Sequence, residues 1–307
     1  MAQADTLRRF VFERYPFRGQ LVHLGPAWAA MMEHHDYPDQ VRDCLGEAVA
    51  AAALLSSTLK YEGLLSLQLR GEGPMHLMLV ECTNGLAMRA VARFRDVPDT
   101  RDLRALSGNG TLTVTIESGG HQNRYQGIVP LTGASMGDCL RAYFEQSEQL
   151  PTRLWLRADG ESASGLLLQR LPVTSRPAGV TESGAGGVAE HEIEDAWRRV
   201  QLVADTVTAD ELASLEDREL LRRLFAEDDV RMFQSSPVFF RCRCSRERVG
   251  TMLKALGREE VDSVLEEFGQ VEVRCEFCSR AYRFDGIDVA ALFATDSPPG
   301  TGRSGVH

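Results

Sequence analysis

No apolar run in this chain approaches the length of a membrane span; the stretch from Ala48 to Leu55 is too short. Residues 1–15 carry Asp5, Arg8, Arg9, Glu13 and Arg14, which leave no apolar core for a secretion signal. Both absences set the expectation of a soluble, reducing, cytoplasmic setting without membrane contact. An excess of positive charge is missing too. Lys and Arg number 34 against 44 Asp and Glu, and the net charge of −10 opposes nucleic-acid binding. No glycine loop is placed to cradle a phosphate. Gly71-Glu72-Gly73 runs straight into Pro74 and a strand, and Gly119-Gly120 precedes no helix. Ser56, Ser57 and Ser135 lack the G-x-S-x-G elbow of a hydrolase. A non-enzymatic role is the expectation. Histidine is scarce, and the adjacent His34 and His35 point in different directions on a helix, as at a solvated helix end.

What the chain does have is cysteine in a pattern. Four of its seven cysteines form two tight pairs, Arg241-Cys242-Arg243-Cys244 and Arg274-Cys275-Glu276-Phe277-Cys278. Each pair offers two thiolates from one turn. The long excursion between them can fold back so that all four sulfurs meet at about 2.3 Å from a metal. The nearest histidines, His191 and His307, are remote, so the expected ligand set is Cys242, Cys244, Cys275 and Cys278 around one Zn2+. Four sulfurs leave no open position, which argues for a structural or redox metal rather than a hydrolytic one. A disulfide framework is the other use of four cysteines in a small domain. In a reducing setting thiols bind metal until an oxidant arrives. Arg241, Arg243, Arg246 and Arg248 would favour the thiolate form, although solvation of an exposed strand also accounts for them. Oxidation would remove the ligands and release the metal, and a domain held by its metal should then unfold. Cys44, Cys82 and Cys139 are widely spaced and read as small apolar core residues.

The rest of the chain divides by composition. Residues 1–178 read as an α+β domain with a largely antiparallel sheet. Strands are predicted near 9–12, 19–24, 64–70, 75–82, 86–94, 111–117, 123–129, 152–158 and 165–171. Helices are predicted over 26–32, 39–59 and 136–147. In the second of these Val41, Leu45, Val49, Ala52 and Leu55 recur with the helical period. Pro, Gly, Ser and Ala dominate 175–187 and open an acidic helical linker, 179–236. Between Val188 and Ser235, 13 Asp and Glu face 6 Arg, a net of −7. Ile193, Trp197, Val200 and Val203 form one apolar stripe there, and Leu220, Leu221, Leu224 and Phe225 another. Between them, Thr208-Ala-Asp-Glu211 is a capping-box pattern. Short acidic helices are marginal alone, so they are expected to lie against the first domain, held there by a folded zinc module; a plain structural connector is the other reading. That module, 237–294, should contain helices at 245–256, 259–268 and 287–293, the last capped by Asp285, and strands at 271–274 and 281–284. The tail 295–307 is expected to be disordered.

Taken together, Phe240-Arg-Cys-Arg-Cys-Ser-Arg-Glu-Arg248 and Glu272-Val-Arg-Cys-Glu-Phe-Cys278 resemble the heat shock protein 33 family of redox-regulated holdase chaperones. Tyr143-Phe-Glu-Gln-Ser-Glu-Gln149, Leu59-Lys-Tyr-Glu62 and Gly46-Glu-Ala48 support the resemblance, which runs from about Phe10 to Phe293. It implies a zinc-bound, inactive monomer when reduced. Oxidation would form two disulfides, most simply Cys242–Cys244 and Cys275–Cys278, expel zinc and unfold the module. The acidic linker would come loose, and the active form, a homodimer, would bind unfolding client proteins without ATP. A zinc-ribbon nucleic-acid binder and a thiol-disulfide oxidoreductase are the alternatives. The first is opposed by charge, the second by the predicted hairpin around C-x-x-C.

Overall fold

A helix with no polar side at its centre has to be buried all round, and α2 (Asp39–Thr58) is the example here. From Ala48 to Leu55 no residue is more than 1% exposed. The shorter α1 (Pro26–Met32) precedes it and adds Trp28 and Met31 to the same core. The computed structural model of the chain describes residues 5–59, 61–118, 123–172 and 188–294. The chain divides into two compact units, 1–241 and 242–307.

In the first unit α2 packs against two six-stranded sheets. One comprises β1 (Thr6–Phe12), β2 (Phe17–Leu24), β8 (Thr152–Ala158), β9 (Ala163–Arg170) and β10 (Val230–Met232), in the order β10-β1-β2-β9-β8. Its sixth strand, β11 (Ser236–Pro237), also pairs with β1. The other sheet holds β3 (Gly63–Gly71), β4 (Met75–Thr83), β5 (Ala87–Phe94), β6 (Gly110–Ser118), β7 (Asn123–Pro130) and β12 (Phe239–Phe240). Its order is β12-β5-β4-β3-β6-β7. All described pairings are antiparallel except that of β12 with β5. Leu65, Leu67, Leu69, Met78, Val80, Met88, Ala90 and Val114 turn one face of this sheet toward α2. Cys44, Cys82 and Cys139 are buried in the same core, as their spacing suggested.

The first sheet is apolar on both faces. Leu7, Val22, Leu24 and Leu167 belong to the α2 core, while Phe10, Phe12, Phe17, Leu21, Leu166 and Leu168 face a second core. Period-two alternation therefore carries apolar residues on both sides of these strands. Opposite Phe10 in the ladder stands Gly19, where a Cβ would come within 2.1 Å of the Phe10 ring. Only glycine lets that ring lie across β2.

The second core is closed by the acidic segment. It forms three helices, α5 (Glu190–Ala204), α6 (Ala209–Ser214) and α7 (Asp217–Leu224). Ile193, Trp197, Val200, Leu212, Leu220, Leu221, Leu224 and Phe225 are all buried against the sheet. Phe12 meets Phe225 at 5.2 Å between centroids, and Phe17 meets Trp197 at 5.1 Å. The capping box at Thr208 and Glu211 is formed as its sequence suggested.

The second unit is small. It contains α8 (Arg246–Leu256), α9 (Arg258–Phe268), the hairpin of β13 (Val271–Arg274) and β14 (Ala281–Phe284), and α10 (Gly286–Ala294). Asp285 caps α10 by accepting from the Asp288 N–H at 2.9 Å. Gly257 joins α8 to α9 at φ 96°, a conformation that favours glycine.

The antiparallel α+β architecture and its long central helix agree with the sequence reading. Departures are local. Residues 136–147 divide into α4 (Met136–Tyr143) and a π-helical turn, Phe144–Glu148. A five-residue helix, α3 (Leu103–Ser107), was not anticipated, nor were the short strands β10 to β12. The composition break at 175–187 and the tail from Thr295 lie outside the described residues.

Candidate metal centre

Chain order delivers the first cysteine pair between a strand and a helix cap. The Arg241 N–H donates to the Met88 carbonyl at 2.9 Å, and Cys242 follows. Ser245, just after Cys244, caps α8 by accepting from the Arg248 N–H at 3.3 Å. The second pair occupies the turn between β13 and β14. There the Cys275 N–H donates to Arg280 O at 3.0 Å and the Ser279 N–H to Cys275 O at 2.7 Å. Ser279 sits in the left-handed region at φ 53°, which closes the turn.

These two devices bring all four predicted residues together. The sulfurs of Cys242, Cys244, Cys275 and Cys278 lie within 4.8 Å of one another and could hold a metal ion. The short contacts cross between the pairs, with Cys242 Sγ 3.6 Å from Cys275 Sγ and Cys244 Sγ 3.5 Å from Cys278 Sγ. Burial pushes the Cys242 thiol up. It is outweighed by the Cys244 N–H and by the thiols of Cys244, Cys278 and Cys275, which hold Cys242 down at about 7. Cys275 and Cys278 are both raised, first by burial and also by their sulfur neighbours. One sulfur thus takes the negative charge while others donate to it.

Sequence reasoning missed two residues here. Tyr282, only 8% exposed, donates its hydroxyl to Cys244 Sγ at 3.0 Å. Its signal was the alternation in Ala281-Tyr-Arg-Phe284, where Tyr282 and Phe284 turn inward. The other is Arg280, a cation that feels Tyr282, Cys244 and Cys278. Its pKa is raised first by a bond to Tyr282 and then by charge on Tyr282, Cys244 and Cys278. The arginines near the first pair are used differently. Arg246 donates to the Arg283 carbonyl, pairs with Asp288 at 2.7 Å and lies over the Phe284 ring. Arg248 donates to the Arg243 carbonyl at 2.8 Å. Among the described residues the buried apolar core beneath the cluster is Val249, Leu253, Val261, Val271, Tyr282, Phe284 and Val289, seven in all. A core of that size is marginal by itself.

The acidic segment meets the rest of the first unit through polar contacts as well as through its stripes. Arg8 Nε donates to Asp217 Oδ2, and Asp217 Oδ1 lies 3.1 Å from His23 Nε2. Arg170 pairs with Glu190, Arg14 with Glu192 at 3.8 Å, and Trp155 donates to Asp205 at 3.0 Å. His35 stacks on Tyr37 at 4.9 Å.

Fold and site define an α+β protein that ends in a four-cysteine unit able to hold a metal ion. The model of the family described as Hsp33 protein matches residues 5–285, and the chain belongs to that family. A 33 kDa chaperonin from Nitrosococcus oceani is 46% identical over 294 residues, 95% of this chain and 96% of its own. The 33 kDa chaperonin of Methylobacillus flagellatus is 41% identical over 297 residues, 96% of this chain and 97% of its own. The crystal structure of the 33 kDa chaperonin (heat shock protein 33 homolog) from Thermotoga maritima has the same fold. The TM-score is 0.79 at 20% identity, covering 95% of this chain and all of that one.

Proposed function

We propose that this chain is a redox-regulated, ATP-independent holdase chaperone of the cytoplasm, and not an enzyme. The observation that carries the proposal is the convergence of four sulfurs over a seven-residue core. The donor set fits zinc. Tetrahedral zinc with bonds of about 2.3 Å needs sulfurs about 3.8 Å apart. The two short contacts are 3.6 and 3.5 Å. Cys242, Cys244, Cys275 and Cys278 would hold one Zn2+, whose binding supplies most of the folding free energy of so small a unit.

Oxidation removes that support. Closing each disulfide passes two electrons from a pair of cysteine thiolates to one hydrogen peroxide, which takes two protons from water and leaves as two waters. Two disulfides consume all four ligands. Pairing as Cys242–Cys244 and Cys275–Cys278 severs the tie between the segment before α8 and the β13–β14 turn. Pairing across, Cys242–Cys275 and Cys244–Cys278, would keep the unit stapled. Only the first releases it.

Unfolding then reaches the acidic segment along the chain. β12 has two residues and β11 two, and Arg241, next to the first ligand, holds a single ladder bond to Met88. Once these fray, α5 to α7 lose an anchored end, and helices this short need their docked face. Release uncovers Phe10, Phe12, Phe17, Leu21, Leu166 and Leu168 together with the segment's own stripes. That apolar surface binds unfolding client proteins, and the oxidised form assembles as a homodimer. The names of the relatives, 33 kDa chaperonin, support a client-binding role. The test is zinc release during peroxide treatment, read beside aggregation of a heat-unfolded client. Oxidised protein should suppress aggregation and reduced protein should not; equal suppression by both would contradict the proposal.

A further inference from the structure

The surface beneath the acidic segment has a charge pattern as well as an apolar floor. Its centre is Phe10, Phe12, Phe17, Leu21, Leu166 and Leu168, none more than 1% exposed while covered. Its edges present donors. Arg8 reaches Asp217, Arg14 reaches Glu192, and Arg170 reaches Glu190. Arg153 donates to Gln201 at 2.8 Å and Trp155 to Asp205 at 3.0 Å. On the segment the matching groups are carboxylates and one amide oxygen, carried by α5, by Asp205 just after it and by α7. Among the described residues a pair of reversed sign, Glu13 with Arg231, lies at β10, outside the helices.

From this pattern we propose that the uncovered surface selects acidic amphipathic segments of client proteins. The chain's own acidic helices are the template of what fits. The inference rests on release of that segment as proposed above. An apolar floor alone takes any hydrophobic stretch. The rim discriminates. An acidic amphipathic helix restores every rim contact when it buries its stripe. A basic one of equal hydrophobicity sets its cations against Arg8, Arg14, Arg153 and Arg170 and leaves the half-buried Arg8 and Arg170 without their carboxylates. The acidic segment is then a tethered competitor, and its charge keeps clients of the same chemistry off until oxidation.

Peptide binding to the full-length, peroxide-oxidised, zinc-free protein tests this. One labelled peptide spans residues 189–225; the other is the same peptide with E190K, E192K, D205K and D217K. Limited trypsin digestion between residues 188 and 235 reports release of the resident segment in the same samples. Exposed ion pairs are individually weak, so the acidic peptide should bind about tenfold tighter at low salt. The gap should close at about 0.5 M salt. It should also vanish in an R14Q/R153Q/R170Q variant. Equal binding, preference for the basic peptide, or no binding of either, with the segment already open to trypsin, overturns the inference and leaves the redox switch standing. A segment still protected after zinc loss overturns the switch, and the inference falls with it.

Discussion

Asp217 stands with one carboxylate oxygen 3.1 Å from His23 Nε2 and the other accepting from Arg8 Nε. It is the first residue of α7, and the two partners lie on β2 and β1, so one side chain ties the acidic segment to the sheet beneath it. Only 12% of the Asp217 side chain is exposed. Asp217→Ala would take the carboxylate from beside buried His23 and from Arg8, which keeps the Phe233 carbonyl, at a cost of about 1–3 kcal/mol. The variant should show faster hydrogen exchange across α6 and α7 in the reduced, metal-bound protein. Unchanged exchange there would remove Asp217 as a latch.

The same carboxylate makes docking sensitive to acid. Burial raises its pKa, but His23 and Arg8 outweigh burial and hold it below the ordinary 3.8. A folded pKa below the unfolded one gives stability that is present above about pH 4 and lost as pH falls through the folded value. Protection of α7 should therefore drop below about pH 4 in the reduced chain, and Asp217→Asn should flatten that dependence. Exchange measured at several pH values in both proteins decides it.

Tyr282 should matter to the metal more than to the fold. Its hydroxyl donates to Cys244 Sγ, and loss of such an outer contact weakens metal binding by about 10–100-fold. Tyr282→Phe keeps the ring in the core. Competition with a chromogenic chelator should show at least about tenfold weaker zinc binding with an unchanged circular dichroism spectrum.

The remaining cysteines should be silent. Burial pushes Cys82 up to about 12 and raises Cys44 and Cys139 as well. After metal removal an alkylating agent near neutral pH should modify Cys242, Cys244, Cys275 and Cys278 only. Mass spectrometry should find Cys44, Cys82 and Cys139 labelled only after the first unit is denatured.

Much of this was legible in residue patterns because the signals are local. The period of α2, the Thr208–Glu211 capping box and the C-x-C and C-x-x-C spacings all act within a few residues. What escaped was set at long range. The two faces of β1 serve different cores, but nothing in Thr6–Phe12 says which layer each will meet. The β10 to β12 strands are two or three residues long and exist only because β1 and β5 offer edges. Charge near the thiols was read from the nearest arginines in sequence, whereas Arg246 folds over Phe284 and Arg280 takes the place beside Tyr282.

Hydrogen exchange along the full chain, before and after peroxide, tests the metal latch most directly. Amides of 246–294 should lose protection as zinc leaves, followed by those of α5 to α7, while β3 to β7 keep theirs. Full protection of 246–294 in protein whose two cysteine pairs are shown to be disulfide-bonded would contradict the latch.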